Sequence, residues 1–189
     1  MSRPEPPDPG AHPRELVGGA ALRFGPAVVA GWCADLMTGR AEPEDPGLPP
    51  LTWLGTGAGW ELGRTPPPDE DRYWPRVWGA RGLLYVWIPE AAPAVLSGLG
   101  DRAWRVREMS AKLVRLRELG EAAELVAELA GPEEQTPRVR AAAARALGAV
   151  GEGEHAEILH DAEEDPDPAV RRAAGLALAE LRRRLDRDL

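Results

Sequence analysis

Apolar residues recur at intervals of three and four through the second half of the chain, the spacing that lays one stripe along a helix. The stripe is clearest in two copies of a short pattern, TPRVRAAAARALGAV over 136–150 and DPAVRRAAGLALAEL over 167–181. With Val139 and Val170 as anchors, each copy has Pro two places before (Pro137, Pro168) and Arg one place after (Arg140, Arg171). Ala142, Ala143, Ala146, Leu147 and Val150 follow in one copy, and Ala173, Ala174, Ala177, Leu178 and Leu181 in the other. A proline is tolerated in the first helical turn, where its missing N–H has no intrahelical partner to lose, so each copy predicts a helix that starts at its proline.

The same template fits twice more upstream. Val106 takes the anchor place, with Arg107 after it, Met109, Ser110, Leu113 and Val114 on the stripe, and Trp104 where proline stood. Val77 takes it one unit earlier, after Pro75 and before Ala80, Leu84, Tyr85 and Ile88. Anchors at 77, 106, 139 and 170 are 29, 33 and 31 residues apart, a period that means stacked supersecondary units. A shorter apolar signature precedes three anchors: Val95 and Leu96 with Leu99, Leu125 and Val126 with Leu129, Ile158 and Leu159 with Ala162. Val28 and Val29 with Trp32 fit the same place in the first unit. The position five after each anchor is small (Gly82, Ala111, Ala144, Gly175), which lets successive helices approach closely.

Outside the repeats the pattern changes. Residues 1–15 hold five prolines among charges and glycine, and are expected to form a disordered tail. Apolar spacing turns helical over 16–38, with Pro26 as a first-turn proline, Val28, Val29, Trp32, Cys33, Leu36 and Met37 on one face, and Gly39 as the stop. In 40–72 prolines and glycines alternate, so no long helix can pass through. Leu51, Trp53, Leu54, Trp60 and Leu62 still give this segment something to bury, which reads as an insertion inside the first unit that folds back on the body.

Six residues before the arginine of each later unit stands an acid: Asp101 before Arg107, Glu134 before Arg140, Asp165 before Arg171. With Pro, Val-Arg and the acid at these places, the chain resembles HEAT repeats, particularly the short bacterial kind also found in phycobilin lyases. The likeness is clear over 73–185 and faint over 16–39. It implies an all-α fold, a short right-handed, armadillo-like α-solenoid of about four HEAT-like helical hairpins, with 16–189 as a single domain carrying the Pro/Gly/Trp-rich insertion. It also implies that acids and arginines of adjacent units form a ladder along the inter-helix turns. In the first unit Trp78 and Arg72 occupy the arginine and acid places, so that rung lacks its partners.

Charge narrows the function classes. Lys+Arg 23 against Asp+Glu 31 gives a net charge of -8, which disfavours nonspecific phosphate binding while leaving room for a local basic patch. Arg102, Arg105, Lys112, Arg115 and Arg117 form such a cluster around one repeat helix. The single Cys33 can make no internal disulfide, and with no signal segment or membrane span in view a reducing cytoplasm is expected. His155 and His160 lie among acids, but i and i+5 on a helix diverge, so no metal site is expected. Cys33 sits on an apolar stripe beside Trp32 and reads as a core residue. The seven tryptophans all lie in the first 104 residues. Trp53, Trp60, Trp74 and Trp78, with Arg105, Lys112 and Arg115, are the candidate partner contacts, since large aromatics and arginines are common binding anchors.

No phosphate loop, nucleophile elbow or His-Glu metal signature is present, and no cofactor is called for. The leading expectation is a non-enzymatic scaffold that holds a protein or peptide on the concave face of the second helices and on the Trp-rich first unit. Two alternatives stand beside it: a nucleic-acid binder or enzyme resembling HEAT-like DNA glycosylases, and a lyase or maturation accessory of the kind the family likeness suggests.

Overall fold

The computed structural model describes residues 4–43, 45, 47–55 and 73–186. Among these residues there are nine α-helices and no strand. They group into two compact units, residues 1–97 and 98–189.

The first unit opens with α1 (Pro13–Phe24) and α2 (Pro26–Thr38), and α3 (Trp74–Leu83) follows the insertion. Where the apolar spacing predicted one helical stretch over 16–38, the chain bends by 119° between α1 and α2. Pro26 carries no N–H to continue the hydrogen-bond ladder and excludes its neighbour from the helical region. Gly25 accordingly takes φ +94°, a conformation that favours glycine. Restarting at Pro26 turns Val29, Trp32, Cys33, Leu36 and Met37 inward and leaves Val28, expected on the same face, exposed. Gly39, in the left-handed region, ends α2 as expected.

α2 packs on α3 at two glycines. A Cβ at Gly79 would stand 2.5 Å from the Cys33 carbonyl oxygen, and one at Gly82 would collide with the Cys33 sulfur and lie 3.2 Å from Leu54 Cδ2. The helix pair therefore crosses where α3 has no side chains. α3 stops at Leu83, so Tyr85 and Ile88 fall outside the helix they were expected to extend. Ile88 is extended, as the residue before Pro89 must be.

Of the insertion, residues 51–54 form one 3-10 turn whose Leu51, Trp53 and Leu54 are buried. The Arg81 guanidinium donates to the carbonyls of Leu54 and Gly55. Trp53 meets Phe24 edge-on at 5.7 Å and donates its indole N–H to the Pro4 carbonyl at 2.8 Å. The Thr52 hydroxyl donates to Glu5. Pro4 and Glu5, part of the stretch expected as a tail, are thus held against this turn, and α1 already begins at Pro13. Trp60 and Leu62 lie outside the described residues.

The second unit holds α5 (Trp104–Arg117), α6 (Ala123–Ala130), α7 (Pro137–Val150), α8 (Ala156–Glu163) and α9 (Pro168–Leu185); the boundary between units falls inside α4 (Ala92–Leu99). α6 pairs with α7 and α8 with α9 as hairpins, while α5, α7 and α9 pack side by side and α6 lies against α8. This is a short two-layered helical solenoid. The middle helix α7 is enclosed on nearly all sides, with Val139, Ala142, Ala143, Ala144, Ala146, Leu147 and Val150 buried. Its Gly148 lies so near α9 that an added Cβ would be 2.9 Å from Ala177 Cα. Small residues set this spacing, because helices can approach only as closely as their contact side chains permit. Among the described residues, no single helix is long and apolar enough to cross a membrane.

Candidate functional site

The inter-helix turns of the second unit are bound by arginines, two of which reach both ways. Arg107 donates through Nε and Nη2 to Glu134, at 2.6 and 2.9 Å, and through Nη1 to the Asp101 carbonyl at 2.8 Å. Arg140 repeats this one hairpin on, to Asp165 at 2.7 and 2.9 Å and to the Glu134 carbonyl at 2.7 Å. Arg171 donates to the carbonyls of Asp165 and Pro166 at 2.7 and 2.9 Å. The acids also close their own turns: Asp101 accepts from the Ala103 N–H, Glu134 from Thr136 and Asp165 from Asp167. Each forked pair joins one hairpin to the next by two parallel charge-assisted bonds.

Burial makes these pairs more than surface decoration. The Arg140 and Asp165 side chains are each 9% exposed. Bonding from Arg140, working against burial, holds the Asp165 carboxyl below the usual carboxylate range. Burial pushes Glu134 up, but Arg107 and the Thr136 N–H together outweigh it and bring that carboxyl down as well. Such saturated groups have little capacity left to grip a ligand. Their geometry fixes the stacking of the hairpins and so the face that the long helices turn outward.

On that outward face stand two of the expected partner contacts with a third beside them. Lys112 lies 2.8 Å from Glu108, and Arg138 approaches the same carboxylate at 3.9 Å. Arg115 of α5 reaches Glu180 of α9 at 3.5 Å, past α7, which is packed between those two helices. Arg105 stacks over the Trp104 ring at 4.3 Å, and Arg138 of α7 lies over the same ring at 5.6 Å. Arg145 occupies the place in α7 that Lys112 holds in α5, six after the anchor, and Leu176 the same place in α9. Leu116 and Leu176 are 52% and 61% exposed among these cations.

One signal here was legible in the sequence but went unread. The three long helices of this unit hold 13 Lys and Arg and only two acids, Glu108 and Glu180. The stretches 118–136 and 151–167, which contain the short helices and turns, hold 14 acids and no Lys or Arg. An overall charge of -8 therefore conceals a sorting of charge by layer. Charge, like apolar character, follows repeat position in this unit.

The aromatic candidates of the first unit are placed differently. Trp53 and Trp78 are 4% and 5% exposed. Trp74 is half-buried and stacks between Tyr73 and Trp78, with ring centroids 5.2 and 5.9 Å away. Trp60 lies outside the described residues. Cys33 is fully enclosed, and burial pushes its thiol far above the usual range, as for a cysteine packed in an apolar core. His155 is buried, its Nδ1 accepting from the Glu152 N–H at 2.9 Å, whereas His160 is exposed beside Glu163. Among the described residues no group of three or more His, Cys, Asp or Glu is placed to hold a metal ion.

Stacked hairpins, two successive turns each bound by an arginine that reaches both ways, and one row of long helices facing outward define a helical-repeat solenoid. Residues 122–189 match the family model described as HEAT repeats. With that match and the all-helical architecture, residues 122–189 are read as HEAT repeats, which generally serve as protein-interaction scaffolding. No curated protein matches the chain.

Proposed function

We propose that this protein is a non-enzymatic scaffold that holds a protein partner on the outward face of α5, α7 and α9. One observation carries the reading: Arg105, Lys112, Arg115 and Arg138 project from adjacent helices whose relative positions are fixed by the buried Arg107–Glu134 and Arg140–Asp165 pairs. A rigid row of this kind lets a partner bind without ordering its receptor first, which lowers the cost of association. Trp74 offers a second contact, confined to the first unit, while the burial of Trp53 and Trp78 supports a packing role for those two.

The test is co-purification of the tagged full-length chain from its own host, with and without nuclease, followed by mass spectrometry. A stoichiometric protein that survives nuclease is the expected result. Recovery of nucleic acid in its place, or of no macromolecule, would sink the scaffold reading.

A further inference from the structure

We infer that the occupant of the α5–α7–α9 face is an acidic protein segment with apolar residues set between its carboxylates. This deepens the scaffold reading and rests on it. The face gathers Arg105, Lys112, Arg115, Arg138 and Arg145, while the three long helices themselves hold only two acids, Glu108 and Glu180, so the helices carry a positive surplus on a chain whose total is -8. Positive surfaces recruit and orient negative partners, and the sorting of charge by layer means that the opposite side of the unit repels the same partner.

Charge alone would suit a phosphate backbone as well as a carboxylate-rich protein, since the guanidinium fork fits both. Three features favour protein. Glu108 and Glu180 sit within the face, at 12% and 29% side-chain exposure, where a continuous run of phosphates would meet them. Leu116 and Leu176 stand exposed among the cations and have no use for a sugar-phosphate chain, whereas they match Leu, Ile or Phe side chains of a peptide. Beyond the C-terminal ends of α5 and α7, the turns carry Glu118, Glu121, Glu152 and Glu154. Those acids bound the face and suit an occupant of limited length better than a long polyanion.

The structure also gives each contact a part. Arg138 and Arg145, on the central helix, are available to carboxylates at the middle of the occupant, while Arg115, already shared with Glu180, lies towards the ends of the long helices. Trp104 beneath Arg105 and Arg138 holds two guanidinium planes in place by stacking, so these arginines meet a carboxylate already oriented.

The experiment uses fluorescence anisotropy with the full chain and four labelled probes: a Glu/Leu peptide, the same peptide with each Leu replaced by Ser, its Lys/Leu counterpart, and a single-stranded oligonucleotide of equal charge. The expected result is tight binding of the Glu/Leu peptide, weakened by salt, with the Ser version clearly weaker and the Lys version unbound. Arg138→Glu with Arg145→Glu should raise its Kd at least about tenfold, roughly the effect of losing 1.4 kcal/mol. Leu176→Ser should raise it by a smaller factor, both variants keeping the wild-type circular dichroism. Equal binding of the Ser peptide, tighter binding of the oligonucleotide, no binding of any probe, or indifference to the arginine changes would each overturn the inference. Repeating the co-purification with the doubly substituted chain separates the two levels. A client still captured would leave the scaffold standing and remove this face from it, whereas the absence of any client from the wild-type chain would sink the scaffold reading itself.

Discussion

The two units close helical hairpins by different means. In the second, a bidentate arginine–carboxylate pair repeats at the turns and small residues repeat along α7 and α9, so each hairpin is held to the next by the same contacts. In the first, Trp78 stands at the arginine place and is buried, and α2 meets α3 at Gly79 and Gly82 on Cys33. An arginine still serves there, but Arg81 grips the carbonyls of Leu54 and Gly55 instead of a carboxylate, and what it fastens is the turn of an insertion. Periodic contacts let a unit be extended by copying. The first unit's contacts are single, and each is specific to the segment it holds.

The comparison breaks first at the ladder. Asp165→Ala leaves Arg140, at 9% side-chain exposure, without its carboxylate, and removing one partner of a buried pair costs about 3 kcal/mol or more. Urea denaturation should register that loss, while binding at the α5–α7–α9 face persists in the variant that remains folded. A stability unchanged within error would show that the second unit does not depend on this rung. Nearly as large an effect is expected in the first unit from Gly79→Ala. The new Cβ would meet the Cys33 carbonyl at 2.5 Å, a backbone atom that cannot rotate away, and overpacking of this kind costs about 1–3 kcal/mol.

The same contrast explains what could be read from the sequence. Pro137, Val139, Arg140 and Asp165 recur with their counterparts at fixed spacing, and repetition multiplies a weak signal until a ladder stands out. The first unit keeps Pro75, Val77 and Gly82 of the template, but the contacts that close it do not recur. That Arg81 would seek the carbonyls of residues 54 and 55, or that Trp53 would meet Phe24 and the Pro4 carbonyl, depends on chain segments 26 and more residues apart, which periodicity cannot pair. The bend at Gly25 had a local cause in Pro26, but a proline in the first turn of one helix looks the same whether or not another helix ends just before it. The proposed face was half legible: Arg105, Lys112 and Arg115 formed a cluster in sequence, while Arg138 and Arg145 join them through shared repeat positions, one before and six after their anchors.

Acid separates the units by a gentler route. Asp165 and Glu134 have folded pKa values below their unfolded ones, so they contribute stability that is present above the unfolded carboxylate range, near pH 4, and lost as pH falls through the folded values. Wild-type stability should therefore decline below about pH 4 more steeply than that of Asp165→Asn, which has already lost the titrating group. The difference between the two chains should narrow as the pH drops. Parallel pH profiles would remove the carboxylate from the account.

The smallest effect tests the comparison at one shared position. Gly82 and Gly175 both stand five after their anchors and both lie inside helices, so helix propensity alone predicts that alanine stabilises each by up to about 1 kcal/mol. Their surroundings differ. At Gly175 the nearest atom to a new Cβ is Glu163 Oε1 at 3.3 Å, the far end of a half-exposed side chain that can swing aside. At Gly82 it is the sulfur of fully buried Cys33, with Leu54 close behind. Gly175→Ala should therefore raise the melting temperature slightly, and Gly82→Ala should lower it, because the packing cost there exceeds the gain in propensity. If both raised it, α2 and α3 would have room to spare, and the first unit's reliance on glycine for close approach would be wrong. If both lowered it, the C-terminal helix would be packed more tightly on α8 than its neighbours indicate, and the two units would be more alike in their tolerance than their contacts imply.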